Sequence, residues 1–488
     1  MDIKNYRRTK IVATLGPASN SPEKVRELII AGVNVFRLNF SHGSHEIHGE
    51  NLNLIRSISD ELNSPVAILA DLQGPKIRCG KVIDGGIELV DGEDFMITSR
   101  DILGEGSNVS TGYKSLPTDV KPGDRILLDD GLLELSVNKI VDGTDVHTTI
   151  VNGGILTSNK GINLPNVALK TPALTDKDEA DLRFIMTQDV DFVALSFVRK
   201  ADDIKHVHRI MDENGGQRVK VISKIEKPEA IVPDVIDAII EISDGLMVAR
   251  GDLGVEIPQE RVPVVQKDLI ERCTKATKPV IVATQMMDSM IRNPRPTRAE
   301  VSDVANAVLD GATAVMLSGE SAAGKYPVES VTTMAEILSS VESSAQQTVT
   351  LRRYIGKFDT KDDVQAICET TVRTAREMGA KLIVSLTASG RTAREISRYR
   401  CYLPTLAIVN DNKKTLQDLQ LCWGAATVPV KLEWNKECIA NIDDIIDGLD
   451  FLNEGDLIVI TAGLPLDKHT PTNMVKYHRV SKTNKVLS

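Results

Sequence analysis

Residues 221–226, Val-Ile-Ser-Lys-Ile-Glu, and residues 247–254, Met-Val-Ala-Arg-Gly-Asp-Leu-Gly, carry the pattern that decides the fold. Each is an apolar run typical of a buried strand that ends in charge, with Lys224 and Glu226 closing the first run and Asp252 the second. The roughly 25 residues between the runs are enough for one helix between two parallel strands. Any one of these charges alone favours a rim salt bridge, but two carboxylates and an ammonium at adjacent strand ends favour a site for a divalent metal and an anion.

The same alternation of strand and helix recurs along the chain. Helical periodicity fills the intervening stretches, for example residues 21–31 and 261–277. Eight predicted strands with helices between them predict a closed (β/α)8 TIM barrel. An open doubly wound sheet would carry a Gly-x-Gly-x-x-Gly turn after its first strand, and none is present. The predicted strands cover residues 10–15, 34–40, 66–72, 192–197, 220–226, 245–249, 279–284 and 313–317.

Two segments depart from this alternation. Residues 74–167 contain short alternating strands separated by Asp-Gly, Pro-Gly and Asn-Gly turns, which predicts an inserted small all-β barrel domain. Because the insertion lies in the third βα loop, at the active-site face of such barrels, we expect it to act as a lid. After a polar linker at 346–353, residues 354–488 predict a C-terminal regulatory α/β domain with an open sheet. The catalytic barrel then comprises residues 1–73 and 168–345.

The composition narrows the class of protein. At 488 residues, with 42% hydrophobic and 26% charged residues, the chain has the make-up of a multidomain globular protein. A formal net charge of −10 argues against nucleic-acid binding. No apolar run reaches about 18 residues, and the N-terminus does not have the pattern of a signal peptide. Six cysteines without a Cys-x-x-Cys pair fit a reducing compartment. We therefore expect a cytoplasmic enzyme.

Polar residues at the ends of the predicted strands should converge on one face of the barrel. By residue type, Glu226 and Asp252 suit Mg²⁺, and Lys224 could neutralise charge on a transferring group or an enolate. The backbone amides at the Gly251-Asp252 turn could bind a carboxylate or phosphate. In chain order, the strand-end residues are Thr14, Arg37, Asn39, Asp71, Ser196, Lys224, Glu226, Asp252, Thr284, Ser318 and Glu320.

Two other patterns favour structural roles. The stretch Gly319–Lys325 nearly matches a phosphate-binding loop, but Tyr326 occupies the position of the Mg²⁺-binding hydroxyl and Pro327 predicts the start of a helix. The cluster His42, His45 and His48 resembles a zinc site only in composition, and surface histidines are commoner than metal ligands.

The loop Thr387-Ala-Ser-Gly-Arg-Thr392 follows a predicted strand and precedes a predicted helix. Its hydroxyls and arginine could bind an anion at the N-terminus of the helix, or could simply cap it. The residues of this loop leave both interpretations open.

Six segments follow one another along the chain in an order typical of one enzyme family. They are Thr-Leu-Gly-Pro-Ala-Ser at 14–19, Arg-Leu-Asn-Phe-Ser-His-Gly at 37–43, Ser-Lys-Ile-Glu at 223–226, Ala-Arg-Gly-Asp-Leu-Gly-Val-Glu at 249–256, Ala-Thr-Gln-Met-Met at 283–287 and Asn-Pro-Arg-Pro-Thr-Arg-Ala-Glu at 293–300. Together they resemble the pyruvate kinase family over essentially the whole chain. The resemblance implies Mg²⁺-dependent phosphoryl transfer from phosphoenolpyruvate to ADP, giving pyruvate and ATP in the last step of glycolysis, in a cytoplasmic homotetramer. Mn²⁺ could replace Mg²⁺.

The resemblance also implies a role for each matching position. Glu226 and Asp252 would bind Mg²⁺, and the catalytic residues would be Lys224, Arg37 and Thr284. The substrate-binding positions are Arg37, Gly251, Asp252 and Thr284. The nucleotide-binding positions are Asn39, His42, Arg78 and Lys160. The positions for a phosphorylated allosteric effector, either a sugar phosphate or a nucleotide monophosphate, are Thr387, Ser389, Gly390, Arg391 and Thr392.

The chain departs from the family at the end of the third strand. The commoner family pattern Asp-Thr-Lys-Gly-Pro-Glu is replaced here by Asp-Leu-Gln-Gly-Pro-Lys at 71–76. The family's monovalent cation lies among the equivalents of Asn39, Ser41, Asp71 and the next residue. An ammonium on Lys76 could supply that positive charge and repel K⁺. We therefore predict, as the Lys-containing subgroup suggests, that the enzyme does not require K⁺.

Two rival functions share part of this pattern. Another Mg²⁺-dependent barrel acting on enolates, such as an aldolase or mutase, would have the Glu/Asp pair but would not release pyruvate in an ADP-dependent way. A catalytically dead sensor of phosphometabolites would be expected to lack Lys224, Glu226 or Asp252, and all three are present.

Overall fold

A computed structural model describes residues 7–165, 167, 172–215, 219–345, 358, 362–410, 412–430, 439, 441–468 and 470–481. Its strands are β1 (Lys10–Thr14), β2 (Val35–Asn39), β3 (Ala67–Asp71), β4 (Ile87–Leu89), β5 (Asp94–Thr98), β6 (Asn108–Ser110), β7 (Arg125–Leu128), β8 (Leu133–Val141), β9 (Asp145–Asn152), β10 (Gly154–Leu156), β11 (Ile162–Asn163), β12 (Phe192–Leu195), β13 (Lys220–Ile225), β14 (Gly245–Ala249), β15 (Val280–Ala283), β16 (Ala314–Leu317), β17 (Leu382–Leu386), β18 (Thr405–Asn410), β19 (Ala425–Val430), β20 (Leu457–Ala462) and β21 (Met474–Arg479).

The α-helices are α1 (Pro22–Ala31), α2 (His45–Glu61), α3 (Leu116–Asp119), α4 (Asp176–Ile185), α5 (Ala201–Glu213), α6 (Pro233–Ile242), α7 (Arg250–Glu256), α8 (Val262–Lys275), α9 (Arg298–Asp310), α10 (Gly319–Ala322), α11 (Pro327–Ala345), α12 (Asp363–Glu377), α13 (Arg391–Arg398), α14 (Lys413–Asp418) and α15 (Ile442–Ile446). Short 3-10 turns cover Pro228–Ile231, Gln259–Arg261, Asp288–Ile291, Leu419–Leu421 and Leu466–Lys468. None of the described helices is long and apolar enough to cross a membrane.

The predicted barrel is confirmed, and all eight of its predicted strands are present. They pair in parallel in the closed order β1-β16-β15-β14-β13-β12-β3-β2. Apolar, β-branched residues suit these strands because both of their faces are buried. Side chains such as Leu69, Ile222 and Met247 fill the barrel interior, and a larger apolar layer lies between strands and helices. The carboxyl ends of the strands therefore form one rim, as the site requires.

The inserted all-β segment lies between β3 and α4, where it was predicted. It has its own apolar core, which includes Ile97, Ile126 and Leu135. Among the described residues, its strands pair as a six-stranded sheet, β11-β7-β8-β9-β5-β6, and a two-stranded sheet, β10-β4. Isolated bridges from Arg78 to Gly161, beside β11, and from Cys79 to Thr111, beside β6, join the two edges of the six-stranded sheet. Backbone pairing therefore closes the ring that the predicted barrel implies.

The C-terminal α/β segment has the predicted open sheet, in the order β19-β18-β17-β20-β21. Apolar runs in the sequence predict strands at 381–386, 405–409 and 456–461, and β17, β18 and β20 lie within a residue of these bounds, whereas β19 and β21 were missed. Strand β21 lies antiparallel at the edge and is mostly polar, so that it lacks the apolar run of a buried strand. The predicted linker 346–353 and the boundaries at 168 and 354 lie outside the described residues, and the domain boundaries stay predictions.

Candidate active site

Lys224 is the centre of the polar cluster at the barrel mouth. Its Nζ donates to Ser196 Oγ at 2.7 Å and lies 3.0 Å from Glu226 Oε1 and 3.2 Å from Asp71 Oδ1. Lys224 and Glu226 are two residues apart at the end of β13, so both side chains point to the same side. Neighbouring β12 and β3 supply Ser196 and Asp71. The sequence-predicted strand ends therefore do converge.

Asp71 links the two cations of this cluster. Its Oδ2 accepts from Arg37 Nε at 2.6 Å, while its Oδ1 faces Lys224. Arg37 also donates to Thr14 Oγ1 at 3.0 Å, from the first strand. One buried carboxylate thus sets the positions of both cationic side chains.

The charges of the cluster shift one another's protonation. Burial opposes the Lys224 ammonium, but Asp71 and Glu226 outweigh it and raise the pKa of Lys224. Burial also opposes ionisation of Asp71, yet Lys224 and Arg37 hold its pKa below the usual value. For Glu226, burial together with the charge of Asp252 raises the pKa despite Lys224. Lys224 and Asp71 are therefore charged at neutral pH.

The two acidic side chains fit a Mg²⁺ ion. Glu226 Oε2 accepts from the Phe197 amide at 2.6 Å, whereas buried Oε1 accepts no hydrogen bond although it lies near Lys224 Nζ. No group of three or more His, Cys, Asp or Glu residues within the described part of the chain is arranged to bind a metal. Two carboxylates that leave positions for water and substrate oxygens are the set that Mg²⁺ commonly uses.

Strand β14, helix α7 and the end of β15 form a second part of the site. The Gly251 amide donates to Thr284 Oγ1 at 2.7 Å, and a Cβ on Gly251 would lie 3.3 Å from that oxygen. Thr284 has φ of 74° in the left-handed region, which a threonine rarely adopts. Any larger residue at Gly251 would therefore displace the Thr284 hydroxyl.

Arg250 holds this second part in place, and residue-by-residue reasoning did not identify it. Its guanidinium pairs with Asp303 of α9 at 2.7 Å and donates to the Thr284 carbonyl at 2.8 Å. The sequence held one signal, an arginine directly before the Gly251-Asp252 turn at a strand end. Its anionic partner, Asp303, is evident only in the tertiary structure.

Lys76 comes from the start of the insertion and reaches the same site. Its Nζ lies 3.7 Å from Asp252 Oδ1, with both side chains partly exposed. The two residues line a cleft between the insertion and the barrel, together with Asn163, Phe197 and Lys227. The carboxylate found beside the Lys76 ammonium is therefore that of Asp252.

The four predicted nucleotide-binding residues fall into two pairs. Asn39, whose Oδ1 accepts from the Ser41 amide, and exposed His42 lie on the barrel rim. Arg78, which donates to the Asn159 carbonyl, and Lys160 lie in the insertion. Lys160 Nζ is 2.8 Å from Asp129 Oδ1. The pairs thus belong to the two segments that face each other across the mouth.

The histidine cluster and the near-match to a phosphate-binding loop both have structural roles, as expected. Buried His48 stacks on Phe40 at 4.0 Å and bonds to the His42 carbonyl at 2.8 Å, and His45 pairs with Asp181 at 2.7 Å. In the near-match to a phosphate loop, the amides are used internally. The backbone amide of Gly324 donates to the Gly319 carbonyl at 2.8 Å, and the backbone amide of Lys325 donates to the Ile291 carbonyl at 3.0 Å.

The loop 387–392 presents two of its five predicted effector residues to solvent. Ser389 and Arg391 are exposed, whereas Thr387 and Thr392 are buried. The Thr392 and Thr472 hydroxyls lie 2.6 Å apart. Gly390 has φ of 77° and precedes α13, which requires a residue that tolerates the left-handed region. Arg391 pairs with Asp362, the residue that caps α12.

Comparisons with known proteins match both the barrel and the C-terminal segment. The family model described as "Pyruvate kinase, barrel domain" matches residues 6–331, and "Pyruvate kinase, alpha/beta domain" matches residues 365–478. A pyruvate kinase of Clostridium acetobutylicum is 44% identical over 472 residues, 96% of this chain and 99% of that protein. One from Staphylococcus aureus (strain MRSA252) is 46% identical over 477 residues, 97% of this chain and 80% of that protein. The crystal structure of a pyruvate kinase from Cryptosporidium parvum has a TM-score of 0.89 at 36% identity, covering 98% of this chain and 97% of that one.

Proposed function

Because the chain belongs to the pyruvate kinase family, we propose that it transfers the phosphoryl group of phosphoenolpyruvate to ADP at the barrel mouth, in a Mg²⁺-dependent reaction. The observation that supports this most directly is the buried Lys224 ammonium, held between Ser196, Glu226 and Asp71. Phosphoryl transfer asks mainly for positioning and neutralisation of charge. A buried ammonium with fixed neighbours supplies both.

Each side chain at the mouth then has a specific task. Lys224 neutralises charge on the phosphoryl group in transfer and on the enolate left behind. Arg37 binds the phosphate, oriented by its bond to Asp71. The Thr284 hydroxyl and the amides of Gly251 and Asp252 bind the substrate carboxylate.

The remaining groups hold the metal and the nucleotide. Glu226 and Asp252 would hold Mg²⁺, or Mn²⁺ in its place, and the bound ion supplies Lewis-acid stabilisation of negative charge on the substrate. We assign ADP binding to Asn39, His42, Arg78 and Lys160. Because two of these lie on the barrel and two on the insertion, nucleotide binding would favour closure of the insertion and exclusion of water.

Two finer features belong to the same proposal. We assign to Lys76 the role of a fixed cation at the barrel mouth, where its Nζ lies 3.7 Å from Asp252 Oδ1, so that turnover does not require K⁺. We assign the loop 387–392 to a phosphorylated allosteric effector, in a homotetramer located in the cytoplasm. Exposed Ser389 and Arg391 are the residues best placed for a first contact with a phosphate.

The decisive experiment is a coupled assay of pyruvate formation from phosphoenolpyruvate, ADP and Mg²⁺, with Lys224→Met as the test variant. We expect a fall in kcat of about 100- to 1,000-fold, the usual loss for one preorganised group that stabilises the transition state. Lys205→Met makes the same change on the exposed face of α5 and should leave kcat unaltered. ADP-independent product release, or full activity of Lys224→Met, would exclude the proposal.

A further inference from the structure

Helix α14 contacts the loop 387–392 directly. Its buried Thr415 donates from Oγ1 to the Ala388 carbonyl at 3.0 Å. The Thr415 amide in turn donates to the side chain of Asn412, the residue that caps the helix. Leu419, in the turn that follows, lies beneath Gly390, where an added Cβ would meet its Cδ2 at 3.1 Å. A shift of the loop must therefore move α14 or break these contacts.

An adjacent face of α14 binds the start of β12. Lys414 Nζ donates to Asp191 Oδ1 and to the Val190 carbonyl, both at 2.9 Å. Asp191 is fully buried, and its Oδ2 accepts from Arg56 at 2.7 Å. The Gln417 amide, with its nitrogen toward Asp191, donates to Asp191 Oδ1 at 3.1 Å. Three side chains thus converge on the residue before the strand.

The last residue of α14 binds the start of β13. Asp418 Oδ2 lies 2.7 Å from the Nζ of Lys220, the first residue of that strand. Burial and the nearby charge of Arg394 lower the pKa of Lys220, and Asp418 opposes both effects. The ion pair is largely shielded from solvent, with 27% of the Lys220 and 11% of the Asp418 side chain exposed. Removing one partner would therefore cost more than removing one partner of an exposed pair.

The turn after α14 also closes the base of the barrel. Leu421 is 1% exposed and packs with the residues that fill the barrel interior, including Ile222 of β13 and Ala194 of β12. Helix α14 and this turn thus contact the two strands through both polar and apolar side chains.

The other ends of these two strands carry the proposed phosphoryl-transfer residues. Strand β12 leads to Ser196, and β13 leads to Lys224 and Glu226, which bond to one another. A strand rises about 3.3 Å per residue and hardly stretches, so that a displacement of its first residue is passed to its last. We propose that α14 couples the loop 387–392 to the active site, with Thr415, Lys414 and Asp418 as positioning residues. This inference rests on the proposed effector role of the loop.

Coupling of this kind is reciprocal, so that it can be tested from the active-site end without knowing the effector. The experiment measures hydrogen–deuterium exchange of residues 387–392 in the full-length protein, with and without phosphoenolpyruvate and Mg²⁺. We expect substrate to slow exchange of this loop in the unaltered protein. Thr415→Val, which removes only the hydroxyl, and Asp418→Asn should abolish the response. Thr415→Ser should restore it.

The matched control is Glu369→Gln, which breaks a partly exposed ion pair with Arg373 within α12 and removes no contact of α14. It should respond as the unaltered protein does. Persistence of the substrate response in both Thr415→Val and Asp418→Asn, or its absence from the unaltered protein, would overturn the proposal.

The same variants are then assayed with candidate effectors. Activators usually change substrate affinity by 5- to 150-fold, and in Thr415→Val we expect less than twofold, with kcat at saturating substrate retained. Failure of the effector site itself would look different. Calorimetry would then show undiminished binding of sugar phosphates and nucleotide monophosphates to Arg391→Ala, while the exchange response to phosphoenolpyruvate remained.

Discussion

Asp71 and Lys76 are the single residues on which the charge balance of the barrel mouth depends most. Asp71 is 1% exposed and neutralises both Arg37 and Lys224. Lys76 brings a cation to Asp252 from outside the barrel. Removing the charge of Asp71 should lower the stability of the protein, and reversing the charge of Lys76 should make turnover depend on K⁺.

Asp71→Asn keeps the shape of the side chain but leaves Arg37 without its carboxylate partner and Lys224 with Glu226 alone. We expect the free energy of unfolding at pH 7 to fall by about 3–5 kcal/mol. The pKa of Asp71 is lowered in the folded protein, so that its contribution is complete above the unfolded value of about 3.9 and is lost as pH falls through the lowered value. Urea unfolding from pH 8 to pH 3 should therefore show a constant difference that shrinks only at the acid end. A difference below 1 kcal/mol at pH 7 would contradict this role of Asp71.

Lys76→Glu tests whether the fixed ammonium replaces a monovalent cation. In buffers free of K⁺ and Na⁺, the unaltered protein should turn over fully, whereas the variant should gain at least tenfold on addition of K⁺, because the fixed positive charge has been lost. Lys81→Glu makes the same change of charge at an exposed position in the insertion and should stay independent of K⁺. A rise of two orders of magnitude on adding K⁺ to the unaltered protein would exclude the role assigned to Lys76.

At the scale of single elements, the proposed ligand-binding residues on helices lie at helix termini and not in helix bodies. Helix α7 begins with the Gly251-Asp252 turn, and α13 begins with the Gly390-Arg391 pair. In the second case the positive charge is already neutralised, because Asp362 at the N-cap of α12 pairs with Arg391. A phosphate that binds Arg391 must therefore compete with this carboxylate.

Asp362→Asn removes the competing charge and retains a residue that caps helices well. We expect binding of a phosphorylated effector, measured by calorimetry, to tighten by about two- to fivefold, since an exposed ion pair contributes up to about 1 kcal/mol. Asp363→Asn, one residue further along α12, is the control and should bind as before. Weaker binding by Asp362→Asn would show that Asp362 does not compete with the phosphate.

At the scale of the whole molecule, the barrel is held from both ends. The insertion contacts α7 at the mouth, where Asn163 donates to Glu256 Oε1 at 3.1 Å and Lys227 Nζ lies 2.7 Å from the same oxygen. The C-terminal segment contacts the base through α14. Glu256 is therefore shared between the insertion and the barrel at the helix that carries Asp252.

Glu256→Gln leaves the buried Lys227 ammonium without a charged partner. We expect a loss of about 3–5 kcal/mol in the free energy of unfolding, measured by urea denaturation. Glu260→Gln, on an exposed turn just beyond α7, should change stability by less than about 0.5 kcal/mol. Equal stabilities of the two variants would show that the Lys227–Glu256 pair does not hold α7 in place.

Much of the fold could be predicted from the sequence because its signals are local. Apolar, β-branched runs alternating with helical periodicity identified all eight barrel strands, and dense turn residues identified the insertion. Strands β19 and β21 escaped because a short strand containing Pro429 and a polar edge strand resemble loops. Residue type and strand position were also enough to nominate Lys224, Glu226 and Asp252.

Tertiary structure alone decided which charges meet. The sequence places Asp71 and Lys76 five residues apart, but the fold gives Asp71 to Arg37 and Lys224 and gives Lys76 to Asp252. The fold likewise brings Thr415 to the loop 387–392, and it brings Asp418 to Lys220, which lies 198 positions earlier in the sequence. Periodicity reports the burial of one element, because burial depends on spacing within that element. Ion pairing depends on distances between elements, which only the closed barrel and its two attached segments establish.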